Sequence, residues 1–192
     1  MSAKQKEIQE PELDEDGIQV LHFEKTVLFI VSPDGFGEQA LGYSRSALSN
    51  IRIASKVAST RYDEPLKGRL QEEFLADGQL ADETLEGYAG VVVCSSDSDE
   101  LSSNEDVLRL LREAAAADKP IGAVGNGTAA LAAAGIIRGK RVTGRPDCAE
   151  TVRAAGGKYT GRQVEVTDKI VTCVDESSGL RFGRLLVEVF TA

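Results

Sequence analysis

The stretch that decides the fold is Pro120-Ile121-Gly122-Ala123-Val124-Gly125-Asn126-Gly127-Thr128-Ala129-Ala130-Leu131-Ala132-Ala133-Ala134-Gly135. Ile121 to Val124 are small or apolar, as a strand buried on both faces requires. Gly125-Asn126-Gly127 then turns the chain. An alanine-rich segment follows at once and stops at Gly135, which reads as a helix with a glycine stop. Strand, tight turn and helix together form the layout of a nucleophile elbow. The turn carries neither serine nor cysteine.

Upstream, Thr26 to Val31 is a nearly continuous apolar run, the mark of a central parallel strand, and Ser32-Pro33-Asp34-Gly35 ends it. Phe36 to Asn50 reads as a helix, and Ile51 to Ser59 as the next strand. Asp77-Gly78 between short apolar runs predicts a hairpin over 74–80, followed by a short helix over 82–88. Gly90 to Cys94 is another buried strand, running into the turn-rich Ser95 to Asp99. Asn104 is placed to cap a helix whose first turn carries Glu105 and Asp106. Downstream of the elbow come a short strand at Arg141 to Thr143 and a helix capped by Asp147 and closed by Gly156-Gly157. Two short strands over 163–166 and 169–174 and a helix over 179–190 complete the chain. Strands alternating with helices predict an α/β fold, a mainly parallel sheet with helices on both faces. Ligands in such sheets sit beyond the carboxyl ends of the strands. The loops after Val31 and Val93 would meet the Gly125 elbow there.

A chain of 192 residues suits one domain with a substantial core. The formal net charge of -9 opposes binding to nucleic acid. Part of that charge is local: Glu7, Glu10, Glu12, Asp14, Glu15 and Asp16 crowd the start, and residues 1–17 lack hydrophobic periodicity. Residues 1–25 are therefore expected to be a flexible tail, serving solubility or packing on a partner subunit, ahead of a domain over 26–192. No apolar run approaches the roughly 20 residues that span a bilayer, and the polar start is no secretory signal, so a cytoplasmic protein is expected. The cysteines, Cys94, Cys148 and Cys173, form no metal-binding pair, and His22 is the only histidine. No metal and no cofactor are expected.

The segments Ala123-Val124-Gly125-Asn126-Gly127-Thr128 and Leu131-Ala132-Ala133-Ala134-Gly135-Ile136-Ile137-Arg138-Gly139-Lys140-Arg141-Val142-Thr143-Gly144 resemble the ThiJ/PfpI family. Its pattern in this region is roughly A-I-C-H-G-P, then L-A-x-A-G-L-L-x-G-R-x-x-T. The resemblance runs from about Thr26 to the C-terminus. It implies a class I glutamine amidotransferase-like, flavodoxin-like three-layer sandwich and a homodimer. The family's nucleophilic cysteine falls on Gly125 and the histidine after it on Asn126. A P-G-G that follows the third strand falls on Cys94-Ser95-Ser96, and a further histidine on Arg145. The family's acidic residue on the first helix falls on Glu38 or Ala40, depending on the loop alignment. The resemblance thus implies the fold and the place of the pocket, with the chemistry at those positions changed.

Glycine at an elbow removes both the thiol and the strain of a left-handed residue. Two readings follow. One is a non-catalytic or function-shifted protein that binds a small polar or anionic ligand at Gly125, Asn126, Gly127, Ser95, Ser96 and Arg145, or binds a partner there. The other is a hydrolase or carbonyl-modifying enzyme rerouted through Cys94 as thiolate or Glu38 as base.

Overall fold

The computed structural model describes residues 23–95 and 100–192. The expectations placed on residues 1–22 of the tail and on Ser96 lie outside the described residues, and Lys25, counted with the tail, already begins the first strand. The elements are β1 (Lys25–Val31), β2 (Asp34–Phe36), α1 (Glu38–Ser49), β3 (Ile53–Ser59), β4 (Leu66–Gly68), β5 (Glu73–Phe74), β6 (Gly78–Gln79), β7 (Tyr88–Ser95), α2 (Glu100–Ser103) and α3 (Glu105–Ala116). They continue through β8 (Ile121–Gly125), α4 (Gly127–Ala133), β9 (Arg141–Val142), α5 (Ala149–Ala154), β10 (Lys158–Tyr159), β11 (Val164–Thr167), β12 (Ile170–Cys173) and α6 (Gly179–Thr191).

The main sheet has seven strands in the order β11-β12-β8-β7-β1-β3-β6. Every neighbour pair is parallel except β11 with β12. Side chains alternate along the central strands and divide the core into two layers. Leu28 and Ile30 of β1, Val91 and Val93 of β7, and Ala123 of β8 pack with α3 and α4. Val27, Phe29 and Val31, Val92 and Cys94, and Val124 pack with α1 and α6. This is the three-layer α/β sandwich that the flavodoxin-like reading expected.

Two glycines set how closely the layers approach. A Cβ on Gly122 would stand 3.0 Å from Leu186 and 3.1 Å from Phe182, so the bare strand there makes room for α6. A Cβ on Gly127 would stand 2.5 Å from the Val93 carbonyl, so α4 can start only on glycine. The alanine-rich sequence of α4 follows from its position. Ala129 to Ala132 are all buried, and small side chains let the helix sit between the sheet, α2 and α3.

Three sequence expectations are corrected. The 74–80 segment is not a hairpin: β5 pairs antiparallel with β4, while β6 joins the main sheet beside β3. Asp77 faces β3 instead, its carboxylate accepting from Val57 N at 2.8 Å, so the Asp-Gly pair serves a strand edge rather than a reversal. Residues 82–88 are not a helix; only a 3-10 turn over Leu80–Asp82 precedes β7, because Tyr88 is already committed to pairing with Thr26. Asp147 does not cap α5. It sits in a 3-10 turn over Pro146–Cys148 and holds Arg145. Asn104, by contrast, caps α3 as expected, its Oδ1 accepting from Asp106 N and Val107 N.

Candidate functional site

β8 ends on Gly125 at φ 62, inside the left-handed region where a Cβ is strained. Its register partner is Ser95, the buried last residue of β7. Asn126 follows at the start of α4 and is 8% exposed. The elbow geometry is therefore present, with no side chain at its apex.

The loop after β9 closes over this corner. Thr128 Oγ1 donates to Thr143 O at 2.7 Å, Thr143 N donates to Thr172 Oγ1 at 2.8 Å, and Tyr159 OH donates to Gly144 O at 2.9 Å. A Cβ on Gly144 would stand 2.8 Å from Cys148 Sγ and 2.9 Å from Gly125 O. Gly144 thus lets the 144–148 loop lie against the elbow. Between the elbow, α2 and α5 remains a pocket of about 250 Å³, lined by Ser102, Asn126, Ala129, Asp147, Cys148 and Thr151. Arg145 meets the rim through its 3.2 Å pair with Asp147.

Of the residues singled out from the sequence, Asn126 lines this pocket and Arg145 borders it. Gly125 and Gly127 flank Asn126 but are not among the residues that line the pocket. Ser95 is buried on β7 beside Gly125 and does not line the pocket. Ser102, Cys148 and Thr151 were missed, because they come from segments distant in sequence that only the tertiary fold brings to the elbow.

Cys94 is not placed as a nucleophile. Its side chain points away from α4 into the layer beneath α1 and α6, with no exposed surface, and burial pushes its thiol up to about 12. Its place as the thiolate of a rerouted enzyme is not supported, because the alternation of β7 turns Val93, not Cys94, toward α4. Cys173 is likewise core, and burial raises its thiol. Cys148 is 4% exposed, with Sγ donating to Arg145 O at 3.0 Å.

Glu38 opens α1, while Ala40 is core and packs against Gly179, where a Cβ would stand 2.8 Å from Ala40 Cα. Glu38 Oε1 accepts from Leu70 N at 2.7 Å. Its Oε2 is buried and has no hydrogen-bond partner among the described residues. The carboxylate lies on the bare backbone of Gly68, 1.9 Å from where a Cβ would be. Beside it, Arg69 reaches Glu176 at 3.6 Å. Glu38 therefore ties α1 to the 68–70 turn. The buried Ser32 hydroxyl, at the end of β1, also has no partner among the described residues.

The DJ-1/PfpI family model matches residues 25–189, and the chain belongs to the DJ-1/PfpI family. It is 31% identical over 142 residues to the DJ-1 protein homolog E of Arabidopsis thaliana, covering 70% of this chain and 36% of that one. It spans about a third of the length of that relative. An uncharacterised protein of Methanocaldococcus jannaschii is 24% identical over 161 residues, covering 82% of this chain and 78% of that one. Among solved structures, a ThiJ/PfpI domain protein from Brachyspira murdochii superposes with a TM-score of 0.81 at 20% identity, covering 88% of this chain and 98% of that one. Drosophila melanogaster DJ-1beta superposes with a TM-score of 0.78 at 21% identity, covering 88% and 92%. These likenesses show the fold. No helix among the described residues is long and apolar enough to cross a membrane.

Proposed function

We propose that this protein is a non-catalytic or function-shifted member of the DJ-1/PfpI family that binds a small polar ligand in the pocket beside the elbow. One observation carries the reading. The apex of the elbow is Gly125, without a side chain, while a polar pocket of about 250 Å³ adjoins it. In this reading Gly125 stands at the family's nucleophile position. The pocket offers the Asn126 amide, the Ser102 and Thr151 hydroxyls and the Asp147 carboxylate. It falls just under the roughly 300–1,000 Å³ of drug-sized sites, so it suits a ligand of a few heavy atoms, such as a hydroxy acid or a short polyol. Side chains rather than helix amides carry the recognition, since α4 is only seven residues long.

A thermal-shift and calorimetric panel of lactate, glycerate, glycerol and glutamine tests the binding. At least one should raise the melting temperature, and Thr151→Val should remove the effect. A panel with no hit, or a hit indifferent to Thr151→Val, sinks the reading. The enzymatic alternative is tested by turnover of methylglyoxal or a simple amide. Activity lost on Cys94→Ala or Glu38→Ala would establish it. The burial of Cys94 weighs against the thiol route, and the unpartnered Oε2 is what keeps the Glu38 route open.

The homodimer expectation belongs to the same proposal. Tyr43, Leu70 and Leu180 are exposed apolar side chains around the α1–α6 seam, which suits a face covered by a second copy. Light scattering should give twice the chain mass, falling to the monomer in Leu180→Glu. A cytoplasmic location fits three free cysteines.

A further inference from the structure

The chain is acidic overall, yet one ledge of it is strongly basic. Arg138, Lys140 and Arg141 follow α4, and Arg153, Lys158 and Arg162 lie around α5 and β10. Backbone hydrogen bonds clamp the two segments together. Gly139 N donates to Gly156 O, Lys158 N to Lys140 O and Thr160 N to Val142 O. In the β9–β10 ladder Lys158 stands directly beside Arg141, a like-charge neighbour pair that is unfavourable in isolation. The Arg138 side chain lies over Gly156, 3.3 Å from where a Cβ would be.

Two carboxylates serve these six cations: Glu165 pairs with Arg141 and Arg162, and Asp168 with Lys140. Arg138, Arg153 and Lys158 are exposed and have no carboxylate at ion-pair distance among the described residues. Elsewhere the pattern is different, with Lys56 on Glu83, Arg61 on Asp34 and Lys169 on Asp118. A ledge with surplus positive charge on a chain of net charge -9 is a surface fitted to an acidic segment.

We propose that the ledge formed by Arg138, Arg153 and Lys158 with Lys140 docks the acidic segment Glu7–Asp16 of its own chain. Two arguments favour this occupant. Charge is complementary: the segment carries Glu7, Glu10, Glu12, Asp14, Glu15 and Asp16, and the ledge is short of carboxylates. Reach is sufficient. Lys25 begins β1, and Lys140 is held by Asp168 in the turn that begins β12, so both lie at the edge of the sheet where these two parallel-running strands start. β12 is three strand positions from β1, roughly 14 Å at the usual interstrand spacing. The seven residues from Asp16 to Phe23 span up to roughly 24 Å, enough to bring the end of the segment to Lys140 at the near side of the ledge. Tethering keeps the local concentration of the segment high, so individually weak ion pairs suffice. The docked segment would neutralise the Lys158–Arg141 repulsion and cover the flank of α5, whose other end borders the pocket.

Carbodiimide cross-linking of the full chain tests this, read by peptide mass spectrometry on an equimolar mixture of unlabelled and uniformly nitrogen-15-labelled protein. At about 25 mM salt, Lys140 and Lys158 should cross-link to carboxylates within Glu7–Asp16 with both peptides carrying the same isotope, and yield should fall at least ~5-fold at about 500 mM salt. The double variant R138E/R153E leaves both lysines in place and should lower the yield similarly, while its unchanged circular dichroism shows that the fold is kept. Cross-links of mixed isotope would overturn the intramolecular occupant in favour of a second copy. Absence of ledge cross-links, or a yield indifferent to salt and to R138E/R153E, would overturn the proposal.

Discussion

Replacing Gly125 by cysteine probes the elbow most directly. Gly125 holds φ 62, and a residue with a Cβ in that region costs about 1–2 kcal/mol. For a chain of this size 1 kcal/mol corresponds to roughly 2–4 °C, so Gly125→Cys and Gly125→Ala should each melt about 2–8 °C lower than the parent. The two variants separate strain from chemistry, since only the first adds a thiol. The background is quiet. Cys94 and Cys173 have no exposed surface and Cys148 has 4%. With its thiol pushed up to about 12 by burial, Cys94 is far less ionised at pH 7 than an ordinary cysteine. Native protein treated with iodoacetamide should remain unlabelled, and Gly125→Cys should take up one label per chain at a rate orders of magnitude faster. A parent labelled as fast as the variant, or a Gly125→Cys protein that neither melts lower nor reacts, would refute the placement of Gly125 at the elbow apex.

Three further outcomes follow from individual contacts. Gly127→Ala drives a Cβ to 2.5 Å from the Val93 carbonyl, a backbone atom that cannot swing aside, and should lose about 1–3 kcal/mol in urea unfolding; an unchanged midpoint would contradict the close approach of α4 to β7. Asn104→Ala removes both cap bonds of α3 and should cost about 1 kcal/mol, whereas Asn104→Asp should retain most of it in the same assay. Burial raises the Glu165 carboxyl, but hydrogen bonds from Arg141 and Thr160 and the charges of Arg141 and Arg162 outweigh it and leave it below its usual 4.5. A carboxyl depressed in the folded state stabilises the fold above its unfolded value, and that contribution is lost as pH falls through the folded value. Melting temperature should therefore fall less steeply below about pH 4.5 in Glu165→Gln than in the parent, and a steeper acid limb in the variant would reverse the assignment.

Much of the architecture was legible because it is written in local patterns. The apolar run of β1, the small residues of β8, the glycine turn and the Asn104 cap each report on their own neighbourhood in the chain. The elbow's left-handed residue could be anticipated as well, since Gly125-Asn126-Gly127 between a strand and an alanine-rich helix admits few other conformations. The Asp77-Gly78 pair misled because a turn signal says that the chain bends, not what it bends toward; β6 found the edge of β3 rather than its own neighbour.

The site was less legible. Cys94 carried the right residue type at the right strand end, but alternation along β7 turned its thiol into the α1–α6 layer, where water cannot stabilise a thiolate. Glu38 and Ala40 were equivalent until packing placed Ala40 against Gly179 and left Glu38 bonded to Leu70 N. Ser102, Cys148 and Thr151 became neighbours of Asn126 only when Gly144 let its loop lie on the elbow. The sequence by itself determined a parallel α/β sheet, the backbone course of the elbow and the absence of a side chain at its apex, because backbone preference and hydrophobic period act over a few residues. Tertiary structure alone decided which thiols are buried and which polar groups share a pocket, because burial and contact depend on segments that meet only after the sheet is assembled.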